Sequence, residues 1–112
     1  MEIVIHSPHM VLGDGFKAAI EQKIGRVEQY EPRAVRAHVH IRKASVHHSQ
    51  EQYIVTVHCK VPGNDVSAEE RGPDALTALD VVAEKIERRL RKRKTARLEK
   101  RKHSSPRLRE KL

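Results

Sequence analysis

Ile3 and Ile5 alternate with Glu2, Val4 and His6, and the run stops at Ser7-Pro8, which is the pattern of a short strand. From Asp14 the period changes. Phe16, Ile20, Ile24 and Val27 recur on one face of a helix, with Asp14 as the predicted N-cap. Glu31-Pro32 should end this helix, because the residue before a proline is pushed out of helical conformation. Over residues 34–43 the alternation returns: Val35, Ala37, Val39 and Ile41 face one way and Arg36, His38, His40 and Arg42 the other, a half-buried strand with a basic outer face. After the polar stretch 44–50, Tyr53, Val55, Val57 and Cys59 share one face of a second strand, and the two should pair as a long-looped hairpin. Pro62-Gly63-Asn64-Asp65 is a strong turn signal before a short last strand, roughly Val66 to Glu70.

Gly72-Pro73-Asp74 then opens a second helix, with Pro73 or Asp74 in its first turn. Its apolar stripe is Ala75, Leu79, Val82, Ala83, Ile86 and Leu90, and the same line continues to Arg93 and Arg97. Core contact should therefore end near Leu90 while the helix projects onward, until Ser104-Ser105-Pro106 stops it and leaves a mobile tail. The order β-α-β-β-β-α predicts an α+β fold: a four-stranded sheet with two helices packed on one face. The 112 residues suit one domain, and 38% hydrophobic residues with no Trp imply a thin core of Val, Ile, Leu and Ala.

Charge changes the picture more than composition does. Residues 1–84 carry nine Lys and Arg against twelve Asp and Glu, whereas 85–102 carry eleven against two. A mildly acidic body with a cationic arm is the electrostatic footprint of a polyanion binder. Lys85, Arg88 and Lys92 form one basic row at i, i+3 and i+7, with Arg89 nearer the core edge, and Glu84–Arg88 and Glu87–Arg91 are i,i+4 pairs. On the first helix Lys23 falls inside the apolar stripe with Arg26 on its flank, a placement that would hold a cation at the helix edge. Aromatics are only 3%, so a stacking platform for single strands is a poor fit and folded RNA a better one.

Other chemistries find little support. There is no nucleophile with an orienting base, no paired carboxylates and no Gly-rich phosphate loop, so neither an enzyme, a cofactor nor a small-molecule substrate is expected. His38, His40 and His58 could be neighbours on the open sheet face, but without a nearby carboxylate they read as surface, and no metal is expected. Cys59 is the only cysteine, which excludes an intramolecular disulfide and suits a buried strand residue. No apolar run approaches a membrane span and Met1-Glu2-Ile3-Val4-Ile5 does not begin a signal peptide, so a cytoplasmic protein is expected.

Ala68-Glu69-Glu70, then Asp74, Ala78 and Asp80, then Glu84-Lys85-Ile86-Glu87-Arg88-Arg89-Leu90-Arg91-Lys92-Arg93-Lys94-Thr95 resemble the ribosome hibernation-promoting factors, also labelled the sigma-factor modulation family. In that family an acidic strand end leads into a helix with a pattern close to Asp-x-Ala-x-Asp and a basic end. Lys23-Ile24 and Val27-Glu28-Gln29-Tyr30 are similar to its first helix, and the resemblance covers about residues 1–97. It implies a fold similar to double-stranded RNA-binding domains, a ribosome-binding domain over 1–97, and a basic helix extension with a flexible tail over 98–112. It implies binding to the small ribosomal subunit and its rRNA where messenger and transfer RNA would lie, silencing translation under stress or in stationary phase. Matching positions assign RNA contacts to Lys23, Arg26, Lys85, Arg88, Arg89, Lys92 and Arg93, with Lys94 continuing the basic end. The older label gives an alternative, a protein-interaction regulator that docks through its basic arm. Leu76 stands where the family usually has Tyr, so a local packing contact should differ. The chain ends at Leu112 without the second domain of long members, so it is not expected to dimerise ribosomes through that domain. A separate dimerising factor stays open as a partner.

Overall fold

The computed structural model describes residues 1–8, 10–45 and 51–111, with the side chains of Arg97 and residues 99–111 left outside the description. The elements run β1 (Glu2–His6), α1 (Asp14–Gly25), α2 (Val27–Tyr30), β2 (Arg36–Lys43), β3 (Tyr53–Lys60), β4 (Val66–Gly72) and α3 (Ala75–Lys111). The strands lie in the order β1-β2-β3-β4. β1 is parallel to β2, with Ile3 opposite Ala37 and His6 opposite His40. β2–β3 and β3–β4 are antiparallel.

One core joins the helices to a single face of this sheet. Ile20, Ile24 and Val27 meet Ala37, Val39, Ile41, Val55, Val57 and Cys59 from the sheet and Ala78, Leu79, Val82, Ile86 and Leu90 from α3. These are the positions that the strand and helix periods select. Burial, with Asp65 nearby, pushes the Cys59 thiol up to about 11, in keeping with a packed and unreactive sulfur.

Five details depart from the sequence pattern. The first helix is capped by Gly13, with Asp14 in its first turn. It is interrupted after Gly25, the residue with the largest entropic cost in a helix, and resumes as α2. Val35 is exposed while Ala34 is buried, because the turn that bonds the Ala34 N–H to the Glu31 carbonyl leaves two residues, Val35 and Arg36, between inward-facing Ala34 and Ala37. Ile54, on the outer face between Arg42 and Arg71 in register, is nonetheless only 2% exposed and lies apart from the core cluster. Finally, α3 continues through Ser104-Ser105-Pro106 to Lys111. Proline removes one donor from the helical ladder, and the Lys, Arg, Leu and Glu residues on both sides are strong helix formers that carry the helix across. The loop residues His47 and His48 lie outside the described residues.

Candidate nucleic-acid interface

The position of α3 is fixed at its start and along one face. The Thr77 N–H donates to Asp74 Oδ1 at 2.7 Å and the Thr77 hydroxyl to Oδ2 at 3.0 Å, which caps the helix. These bonds, the backbone one first, hold the Asp74 carboxyl below its usual range. Leu79, Val82, Ile86 and Leu90 then anchor the inner face, each 2% exposed or less. Past Leu90, Arg91, Lys92, Lys94, Thr95, Ala96 and Leu98 are exposed, while Arg93 is half-buried against the body.

At ~100° per residue the basic residues of α3 divide into two flanks. Lys85, Arg88, Arg89 and Lys92 occupy the flank toward β4, while Lys94 lies roughly 160–200° around the helix from the row's centre, beside Arg91 on the flank toward α1 and α2. The contacts agree: Lys85 and Arg89 reach β4, whereas Asp80 pairs with Lys23 of α1 and Arg91 lies over Tyr30 of α2.

On the β4 flank the partners differ in charge. Lys85 Nζ donates to Glu70 Oε2 at 2.7 Å, and this bond is the main reason the Glu70 carboxyl is held below its usual range. Arg88 pairs with Glu84 at 3.1 Å, the predicted i,i+4 pair. Arg89, by contrast, donates to the Ser67 carbonyl. Arg93 donates to the Asn64 carbonyl at 2.7 Å and to the Pro62 carbonyl at 2.9 Å. Lys92 has no side-chain partner among the described residues. A carboxylate cancels a cation, whereas a carbonyl orients it and leaves its charge in place. Arg89, Lys92 and Arg93, with Asn64, Asp65, Val66 and Ser67, line a cleft of about 490 Å³. A second cleft, of about 460 Å³, lies across Arg93 between Arg33, Pro62, Gly63 and Ala96.

The other flank is less continuous. Lys23 forms an ion pair with Asp80, while Arg26 and Lys94 are exposed and have no side-chain partner among the described residues. The predicted Glu87–Arg91 pair is absent among the described residues. Arg91 instead lies 5.7 Å from the centroid of the Tyr30 ring, and Glu87 Oε1 is buried without a hydrogen-bond partner. A cation–π contact that also holds α2 against α3 competes successfully with an i,i+4 pair worth a few tenths of a kcal/mol. The predicted residues therefore form two patches on opposite flanks of α3: Lys85, Arg88, Arg89, Lys92 and Arg93 on one, Lys23, Arg26 and Lys94 on the other. The carbonyl seats at Pro62, Asn64 and Ser67 were not foreseen. Their one signal in the sequence is that Arg93 continues the buried stripe while the Pro62–Asp65 turn needs a covering group.

The open face of the sheet is only partly basic. Arg36 pairs with Glu2 at 3.4 Å and Arg42 lies 3.6 Å from Glu69, which also accepts the Thr56 hydroxyl at 3.0 Å. His58 meets Asp65 at 3.1 Å. His6 and His38 approach to 3.2 Å, and the His6 ring stacks on His40 with centroids 4.4 Å apart. Burial, then the neighbouring His6, His38 and His58, lower the His40 pKa.

Comparison with known proteins identifies the family and the fold. Residues 3–98 match the model of the family described as sigma 54 modulation protein / S30EA ribosomal protein. The chain is 32% identical over 91 residues to the ribosome hibernation promotion factor of Staphylococcus aureus (strain COL), covering 81% of this chain and 47% of that one. It thus spans about half the length of that relative. Among solved structures, the N-terminal domain of Thermus thermophilus Protein Y superposes with a TM-score of 0.71 at 20% identity, over 82% of this chain and 98% of that domain. A ribosomal subunit interface protein from Coxiella burnetii gives 0.73 at 20% identity, over 85% of this chain and 99% of the other. These two likenesses are evidence of a shared fold.

Proposed function

The chain belongs to the sigma 54 modulation protein / S30EA ribosomal protein family, and from that premise we propose that it is a ribosome hibernation factor. It binds the small ribosomal subunit through rRNA, occupies the channel of messenger and transfer RNA, and inhibits translation under stress or in stationary phase. The observation that carries this reading is the cleft between α3 and the Pro62–Ser67 segment, where Arg89, Lys92 and Arg93 converge with no ion pair of their own among the described residues, the lining carboxylate of Asp65 being engaged by His58. Guanidinium groups held by neutral carbonyls are preorganised for phosphate, with further N–H donors free to fork onto its oxygens. Arg26 and Lys94 extend the contact along the opposite flank, and Lys23, Lys85 and Arg88 join by exchanging a carboxylate partner for a phosphate. With so few aromatic residues, recognition proceeds through backbone geometry and shape.

Charge reversal at Arg88 and Lys92 tests this. Both are exposed, and the main cost is the loss of the surface Arg88–Glu84 pair, so R88E/K92E should stay within about 1 kcal/mol of the native chain's stability. The native chain should co-sediment with small subunits at low salt and depress a translation assay, and the variant should do neither. A native chain that fails to co-sediment sinks the function. A variant that binds normally removes the β4 flank from the interface. Nuclease treatment separates the protein-docking alternative, since binding to an acidic protein survives it.

A further inference from the structure

The helices cover one face of the sheet, and the face they leave open gathers three histidines that the RNA-binding reading does not use. His38 and His40 are two residues apart on β2 and project to the same side, while the parallel pairing of β1 places His6 directly opposite His40. His6 Nε2 and His38 Nδ1 are 3.2 Å apart. One ring nitrogen from each of His6, His38 and His40 falls within a set whose members all lie within 4.8 Å of one another. Three imidazoles bound to zinc at about 2.0–2.1 Å in a tetrahedral arrangement have their nitrogens about 3.3–3.4 Å apart. One pair, at 3.2 Å, is already close to that separation, and rotation of the exposed His40 ring is the main adjustment that remains. No carboxylate belongs to the group among the described residues, so its donors are all borderline-soft nitrogens. That set excludes magnesium and calcium, which need oxygen ligands, and suits zinc, nickel or copper.

We propose that His6, His38 and His40 form a binding site for one divalent transition-metal ion on the open face of the sheet, a fourth position being left to water or an incoming group. His58, opposite His38 on β3, is engaged by Asp65 at 3.1 Å and stands outside this set. The metal ties β1, an edge strand, to β2 by side chains as well as by its backbone ladder. The site stands on the sheet face away from α3, and its test is independent of ribosome binding.

Untagged full chain, freed of metal by a chelator, is titrated with zinc by calorimetry and with cobalt(II) by visible absorption. Saturation at one ion per chain is expected, with the intense visible bands of a tetrahedral cobalt site and a rise in melting temperature on adding zinc. Since loss of a mere orienting partner of a metal ligand costs about 10–100-fold in affinity, His6→Gln and His40→Gln should each weaken binding at least about tenfold. Both variants change half-buried or exposed side chains and should keep the native circular dichroism. His47→Gln/His48→Gln and His103→Gln should bind as the native chain does. Absence of saturable binding overturns the site, as does binding that survives His6→Gln and His40→Gln or is lost in either control variant.

Discussion

An approaching phosphate meets a guanidinium bonded to a carbonyl and an ammonium bonded to a carboxylate as two different objects. Arg93, seated on the Pro62 and Asn64 carbonyls, has lost conformational freedom and kept its charge, whereas Lys85 beside Glu70 has given up most of its field. Exposed ion pairs such as Arg88–Glu84 are worth at most about 1 kcal/mol and are screened by salt, so a phosphate can displace the carboxylate. Asp74 shows what a single side chain does for the scaffold that carries these groups. Its folded pKa lies below the ordinary aspartate value of 3.8, mainly through the Thr77 N–H, so its contribution is complete above that value and is lost as pH falls through the folded pKa. The melting-temperature gap between the native chain and Asp74→Ala should be full near neutral pH and shrink as pH falls below the ordinary aspartate range through the folded pKa. A gap that is constant over that range would show that the carboxylate charge plays no part in the cap.

At the level of elements, the periods of hydrophobicity located all four strands and both principal helices, because each buries one face and alternates or recurs accordingly. They also placed the end of the buried stripe at Leu90, where the helix does leave the core. Periodicity carries no information about partners, which is why the contacts of the site residues were not legible. The sequence grouped His38 and His40 with His58, which does lie opposite His38 on β3, but the parallel pairing that adds His6 is a long-range choice. The ion pairs of Lys23 and Lys85 are of the same kind, set by which elements meet. Gly63 is a case where local and long-range terms coincide. Following Pro62 with φ of 84°, it takes the left-handed position of its turn, and a Cβ there would come within 3.0 Å of Arg93 Nη2. The Arg93 tip is flexible and can retreat, so the main cost of Gly63→Ala is the backbone strain of about 1–2 kcal/mol, with each kcal/mol lowering the melting temperature by roughly 4–8 °C. Because the retreat also loosens the two carbonyl bonds, Gly63→Ala and Arg93→Ala should be less than additive in the double variant. Additive losses in thermal melts would mean that the turn and the arginine act separately.

For the whole molecule, the division between an acidic body and a basic arm sets how binding responds to salt. Each phosphate contact adds about −0.7 to −0.9 to the slope of log affinity against log salt concentration, because a bound cation releases a condensed counterion. A lysine already paired with a carboxylate gains a phosphate only by exposing that carboxylate beside the RNA, so its net contribution is smaller than that of an unpaired one. Lys92→Gln should therefore flatten the slope for small-subunit binding by nearly one full contact, whereas Lys23→Gln, which leaves Asp80 without its ion pair, should weaken binding with much less change in slope. Binding measured across a salt series separates the two. Equal flattening by both variants would mean that the Lys23–Asp80 pair opens fully on RNA, and that both flanks of α3 then hold phosphates as equals.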